Sequence, residues 1–283
     1  MELRGINVAN AINEELIAEL EAIKAADASA RTPHLAIIRV GERPDDMSYE
    51  RGATKKMDKI GFDCTCYTYS ADISNDDFQK EFDKINENPE IDGILLLRPL
   101  PKTLDEAALV ARINPVKDLD GICSANMAKV YAGDETGHAP CTAEAVIEML
   151  KYAKVDMKGK KAVVVGRSLV IGKPVSMLLM KNNATVTICH TKTADMKAEC
   201  KQAEILVAAA GRAKMIDDSY VSDGAIVMDV GINVDESGNL CGDVDYDKVA
   251  DKASIITPVP GGVGSVTTSV LAKHLMKAYK IRK

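Results

Sequence analysis

The sequence predicts an α/β protein with parallel sheets, arranged as two units. Three observations carry that prediction. Short aliphatic and β-branched runs alternate with segments whose apolar residues recur at helical spacing. Several of these runs end in glycine, as buried parallel strands do on entering a tight turn. The alternation is interrupted once by a turn-rich connection, which places a boundary near residues 120–145.

Taken in order, Val8, Ile12, Leu16, Leu20 and Ile23 form one stripe of a helix over 6–24. "HLAIIRVG" (34–41) is a strand closed by glycine, and a helix over roughly 46–59 stops at Gly61. "FDCTCYTY" is a strand, and 75–86 is a helix opened by Ser74 or Asn75. "DGILLLRPLP" (92–101) is a buried strand closed by two prolines, and 103–113 is a helix. After "NPVKDLDG", helix 143–152 leads to the strand "KAVVVG". Helix 174–182, strand 185–189 and a short helix near 196–202 follow. The strands "EILVAAAG", "AIVMDVG" and "ASIITPVPGG" precede a last helix at about 266–279.

The 283 residues, 46% hydrophobic and 28% charged, have a globular composition. No stretch reaches the ~20 apolar residues of a membrane span. Net charge is −6 and no basic stripe interleaves with aromatics, which argues against nucleic acid as a partner. "MELRGINVANAINEEL" is acidic and amphipathic, unlike a secretory signal, and the expected location is cytoplasmic. Seven cysteines without a CxxC pair read as reduced thiols, and the four histidines show no metal spacing, so no metal is expected.

Ligands of open parallel sheets sit beyond the C-terminal ends of the strands. In the second unit those positions are Gly166-Arg167-Ser168, His190-Thr191, Gly211-Arg212 and Gly231-Ile232-Asn233. "AVVVGRSLVIGKP" starts as a dinucleotide-binding turn, yet the next glycine after Gly166 is Gly172, and Arg167 and Ser168 fill the turn. A cofactor crevice accounts for the set. Tight turns alone would account for any one of its glycines.

Together, "VVVGRSLVIGKP", "NNATVTICHTKT", "GAIVMDVGIN" and "ITPVPGGVGSVT" resemble the methylenetetrahydrofolate dehydrogenase/methenyltetrahydrofolate cyclohydrolase family. "GILLLRPLP", "PVKDLDG" and "PCTAEAV" match its other landmarks in order, so the resemblance covers nearly the whole chain. It implies an N-terminal α/β folate domain (1–138), a C-terminal Rossmann-type NADP-binding domain (139–265) and a cleft between them. The C-terminal helix (266–283) would pack back on the first domain. It also implies tetrahydrofolate one-carbon derivatives as substrates, one-carbon metabolism for purine biosynthesis as the setting, and a homodimer.

Residue by residue, the resemblance puts Gly166, Arg167, Ser168, Thr191 and Ile232 on the cofactor, with Arg167 and Thr191 at the 2′-phosphate. A guanidinium pairs bidentately with phosphate, which agrees. Thr191 stands where the family usually has serine, so NAD stays open beside NADP. Tyr49 matches the tyrosine that packs on the pterin, Asp120 the aspartate that binds its ring, and Pro260, Gly261 and Gly262 the substrate-side loop.

Three positions depart from the family. Ala53 replaces its lysine, Leu97 the glutamine of the substrate pocket, and Asp46 an upstream serine, without any gap between Tyr49 and Gly61. Hydride loss from the methylene carbon needs chiefly positioning. Hydrolysis of the methenyl product needs an acid–base group, which alanine and leucine do not supply. Lys56 lies on the helical face of Tyr49 and Ala53, about 4.5 Å further along the axis, either as a substitute base or as a solvated charge. The expectation is thus an NADP-dependent dehydrogenase with Tyr49, Asp120 and Lys56 as catalytic candidates. Cyclohydrolase activity is implied by the family and undercut by Ala53 and Leu97. The alternatives are a dehydrogenase without the second activity, a shikimate- or amino-acid-type dehydrogenase, or a non-catalytic nucleotide-binding protein.

Overall fold

The computed structural model describes residues 1–282. Its first elements are α1 (Gly5–Ala26), β1 (His34–Val40), α2 (Pro44–Ile60), β2 (Asp63–Tyr69), α3 (Asn75–Glu87) and β3 (Gly93–Leu96). Next come α4 (Glu106–Arg112), α5 (Ser124–Ala132), α6 (Cys141–Tyr152), β4 (Lys161–Val165), α7 (Gly172–Lys181) and β5 (Thr185–Cys189). The remainder is α8 (Met196–Cys200), β6 (Ile205–Ala208), β7 (Ile226–Asp229), β8 (Asn233–Val234), β9 (Leu240–Cys241), α9 (Tyr246–Val249), β10 (Ile255–Ile256) and α10 (Thr267–Arg282). The chain divides into two compact units.

The first unit comprises Ala11–Lys129, Asp134–Ala139 and the chain from Thr268 on. Its sheet has three parallel strands in the order β2-β1-β3. Central β1 is an aliphatic run, buried from Leu35 to Ile38, as a strand covered on both faces must be. Helix α3 shows how sequence sets the packing. Ser74 caps it by accepting from the Asp77 amide, and Phe78, Phe82 and Ile85 bury one stripe of it in the core of this unit. Burying each such side chain contributes about 1.5–3 kcal/mol. Strand β3 stops at Leu96, short of the expected 92–101, because Pro99 and Pro101 cannot donate to a ladder.

The second unit comprises Met1–Asn10, Val130–Gly133 and Pro140–Thr267. Its five parallel strands run in the order β10-β7-β6-β4-β5. From β4 the chain steps outward to β5, then crosses back to β6 and continues the other way. The direction therefore reverses between β4 and β6, and such a switch point opens a crevice at the carboxyl ends of the strands. By their contacts, residues 1–10 group with this unit. Leu3 N donates to Ile256 O (2.8 Å), Ile256 N to Met1 O (3.0 Å) and Gly5 N to Gly261 O (2.9 Å). The open edge of β10 would otherwise leave those groups unpaired.

Candidate functional site

Strand β4 delivers Gly166, Arg167 and Ser168 to the crevice of the second unit. Gly166 has φ +131°, and a Cβ there would collide with the Ala209 carbonyl of the neighbouring β6 segment. A Cβ at Gly172 would strike the Gly166 carbonyl. The six-residue glycine spacing is thus the close approach of α7 to the turn before it. Ser168 Oγ accepts from Ile171 N (3.1 Å) and Gly172 N (3.5 Å), which orders the entry to α7. After β5, His190 N donates to Thr193 Oγ1 (2.9 Å) and Lys192 N to His190 Nδ1 (3.1 Å), with Thr191 left exposed between them.

These segments line a cavity of about 600 Å³ that includes Gly166, Arg167, Ser168, His190, Thr191 and Arg212. No carboxylate lines it. Arg167 and Arg212 are exposed, and among the described residues neither side chain has an ion pair. Two unneutralised guanidinium groups, hydroxyls and backbone amides suit an anionic, phosphate-bearing ligand. Arg212 had no role in the expected set; its signal was its position directly after β6.

Ile232 does not line this cavity. It lies with Pro260, Gly261 and Gly262 around a second cavity of about 180 Å³ in the same unit. The cofactor-side candidates thus divide between two cavities, one at the β4, β5 and β6 ends and one at the β7 and β10 ends. Asp229, at the end of β7, faces Gly231 and the Asp243 and Val244 amides. Burial first, and the Asp243 carboxylate behind it, raise its pKa from 3.8 to about 7.

In the first unit, α2 follows β1 and carries Tyr49, Ala53 and Lys56. Tyr49 is half-buried and Ala53 fully buried. Lys56 is half-buried too, and its pKa is lowered first by burial and then by Lys59. Asp46, where the family has serine, is buried and pairs with Arg43 at 3.7 Å. Arg43 also donates to Pro99 O (2.9 Å), and Leu97 N donates to Ile38 O (3.0 Å). The start of α2 and the Leu97 segment therefore meet at the carboxyl ends of β1 and β3. Leu97, like Ala53, is buried, so two of the three substituted positions are apolar and the third, Asp46, is a carboxylate.

Of the two aspartates in "KDLDG", Asp118 builds the loop. Its carboxylate accepts from Ile122 N (3.0 Å), Cys123 N (2.9 Å) and Asn126 Nδ2 (3.0 Å). Asp120 is half-buried just beyond it. The carbonyls beside it are held by two buried histidines: His274 Nδ1 donates to Leu119 O (2.7 Å) and His138 Nε2 to Val116 O (3.2 Å). Lys117 is buried and caps α3 through the Asn86 and Asn88 carbonyls (both 2.6 Å), with its pKa lowered to about 8 by burial first. Lys117 and Asp118 stand inside "PVKDLDG", whereas His138 and His274 lie outside it and no local pattern announces them.

Residues 3–120 match the tetrahydrofolate dehydrogenase/cyclohydrolase catalytic domain, and residues 140–283 match the NAD(P)-binding domain of the same family. The chain belongs to this family. The bifunctional protein FolD of Clostridioides difficile (strain 630) is 51% identical over 280 residues, covering 99% of this chain and 96% of that one. The crystal structure of the bifunctional FolD dehydrogenase/cyclohydrolase from Campylobacter jejuni superposes with a TM-score of 0.95 at 34% identity, over 100% of this chain and 99% of that one. The Trypanosoma brucei dehydrogenase-cyclohydrolase, solved with NADP and an inhibitor, gives a TM-score of 0.92 at 34% identity, over 99% and 97% of the two chains. As a tetrahydrofolate dehydrogenase/cyclohydrolase family member, the chain has its two-unit α/β architecture and an NAD(P)-binding domain that contains both cavities.

Proposed function

We propose that this protein oxidises 5,10-methylenetetrahydrofolate to 5,10-methenyltetrahydrofolate with NADP. The observation that carries the proposal is the acid-free cavity at the β4 and β5 ends, where Arg167 and Arg212 stand without ion pairs. This donor set fits a nucleotide that bears an extra phosphate. When bound, NADP supplies the hydride acceptor.

Arg167 and Thr191 receive the 2′-phosphate, while the Gly166–Ser168 turn lies against the nucleotide. Ile232 reaches toward the cofactor from its own cavity, and Pro260, Gly261 and Gly262 shape the substrate side. In the domain 1–138, Tyr49 packs on the pterin and Asp120 accepts from its ring amide and amino group. Leu97 is an apolar wall of that pocket. The cation left on the oxidised carbon is shared by its two flanking nitrogens, so this step asks the protein for alignment and for no base.

The hydrolytic step does ask for one. Buried Ala53 and Leu97 offer none, and Lys56 is the remaining basic candidate on that helix face, its pKa lowered chiefly by burial. We therefore assign dehydrogenase as the main activity and slow hydrolysis as the second. The protein is proposed to act as a cytoplasmic homodimer without nucleic-acid or membrane partners. No described helix is long and apolar enough to cross a membrane. Reduced-nicotinamide formation from methylenetetrahydrofolate with NADP and with NAD tests the assignment. Faster turnover with NADP is expected, and no turnover by folded protein with either cofactor would refute it.

A further inference from the structure

Asp243 lines neither cavity and is fully buried, yet its carboxylate touches the loops that shape both. Oδ2 accepts from Ala210 N (2.5 Å) and Gly211 N (3.0 Å), and Oδ1 from Arg212 N (2.8 Å) and Asn233 Nδ2 (2.9 Å). Three successive amides after β6 and one side chain after β7 thus converge on a single anion. The carboxylate is locked in turn by reciprocal packing. A Cβ at Gly231 would collide with the Asp243 carboxyl group, and a Cβ at Gly242 with that of Asp229. Asp229 accepts from the Asp243 amide (3.0 Å), which fixes the backbone beneath the Asp243 side chain.

We propose that Asp243 is a positioning residue that couples the β6 and β7 loops, and so aligns the part of the cofactor beyond its adenosine end. The inference rests on the proposed NADP site. If Arg167 and Thr191 hold the 2′-phosphate at the β4 and β5 ends, an extended dinucleotide must run along the carboxyl edge toward β6 and β7. There it meets Ala210, Arg212 and Ile232, whose placement depends on Asp243. A buried carboxylate with four donors is strongly directional, because every donor must be accepted or left unpaired.

Asp243→Asn keeps the size that Gly231 packs against but turns an N–H donor toward donors. With full-length protein, kcat/KM for NADP should fall roughly 10- to 100-fold, as expected when a reacting group is misplaced by about an ångström. Affinity for 2′,5′-ADP, which has the 2′-phosphate half and no nicotinamide, should fall by only a few-fold, much less than kcat/KM, because Arg167 and Thr191 lie on other loops and Arg212 alone is held by Asp243. Asn233→Ala removes one of the four bonds and should show the same split more weakly, which keeps the test open if Asp243→Asn does not fold. Equal losses for NADP and 2′,5′-ADP, or unchanged turnover in both variants, would overturn the proposal. Failure of the wild-type protein to bind 2′,5′-ADP would instead overturn the NADP site itself.

Discussion

Arg167→Ala separates the two cofactors most directly. Among the described residues Arg167 makes no ion pair, and its side chain is exposed at the rim of the 600 Å³ cavity. Removing it leaves no buried partner behind, so stability should change by less than about 0.5 kcal/mol. A charge-assisted bond to phosphate contributes about 1.5–3 kcal/mol. Exposure and salt screening favour the lower half of that range, and Arg212 in the same cavity retains part of the positive field. A loss of about 1.5–2 kcal/mol corresponds to roughly 10- to 30-fold weaker NADP binding. NAD, without the 2′-phosphate, should bind almost as it does to wild type. Titration calorimetry with both cofactors at two salt concentrations gives the answer, since the wild-type preference for NADP should shrink in high salt and the variant should have little preference to lose. Equal weakening toward NADP and NAD would refute the reasoning and remove Arg167 from the phosphate.

Asp120→Ala should severely reduce dehydrogenase turnover while NADP affinity of the substrate-free enzyme stays near wild type, because loop building falls to Asp118; an active variant would dismiss Asp120 from substrate binding. During wild-type turnover methenyltetrahydrofolate should accumulate, and Ala53→Lys with Leu97→Gln should raise hydrolysis more than oxidation, within the ~10²–10⁴-fold span of positioned acid–base groups. Hydrolysis by wild type as fast as oxidation would contradict this, and Lys56→Met would then show whether that lysine serves as the base. Asp229 gives a pH signature: its folded pKa of about 7 lies above the ordinary 3.8, so its protonated form favours the fold. That contribution, on the order of 4 kcal/mol, is complete below about pH 4 and is lost as pH rises through 7. Denaturant unfolding from pH 4.5 to 8 should therefore show a shallower fall in Asp229→Asn than in wild type; parallel curves would argue against the shift.

Much of the fold is written in local patterns, and the exceptions have physical causes. The spacing of Phe78, Phe82 and Ile85 announces α3, and the apolar run through Val163–Val165 announces β4. Helix α5 has no such stripe: of its residues only Asn126 is buried, while Met127 and Tyr131 are exposed. Strands β8 and β9 are two residues each, too short for any period to register. At the site, Arg167 and Thr191 could be read because they follow strands directly. The carboxylate arrangement could not, since Asp229 and Asp243 stand 14 residues apart and meet only through backbone amides. Ile232 was readable as a strand-end residue, but which cavity it lines depends on the return of the chain through Pro260.

The pairing of residues 1–5 with β10 and Gly261 makes the second unit discontinuous in the gene. A fragment cut out at residue 139 would lack the segment that closes its own sheet, and would present the bare edge of β10 to solvent or to another molecule. Synthesis meets the same constraint. Residues 1–5 leave the ribosome long before Ile256 and Gly261, and must wait for them before they find their partners. The loop that receives the Gly5 amide therefore takes its final shape only after a segment made much earlier has returned to it.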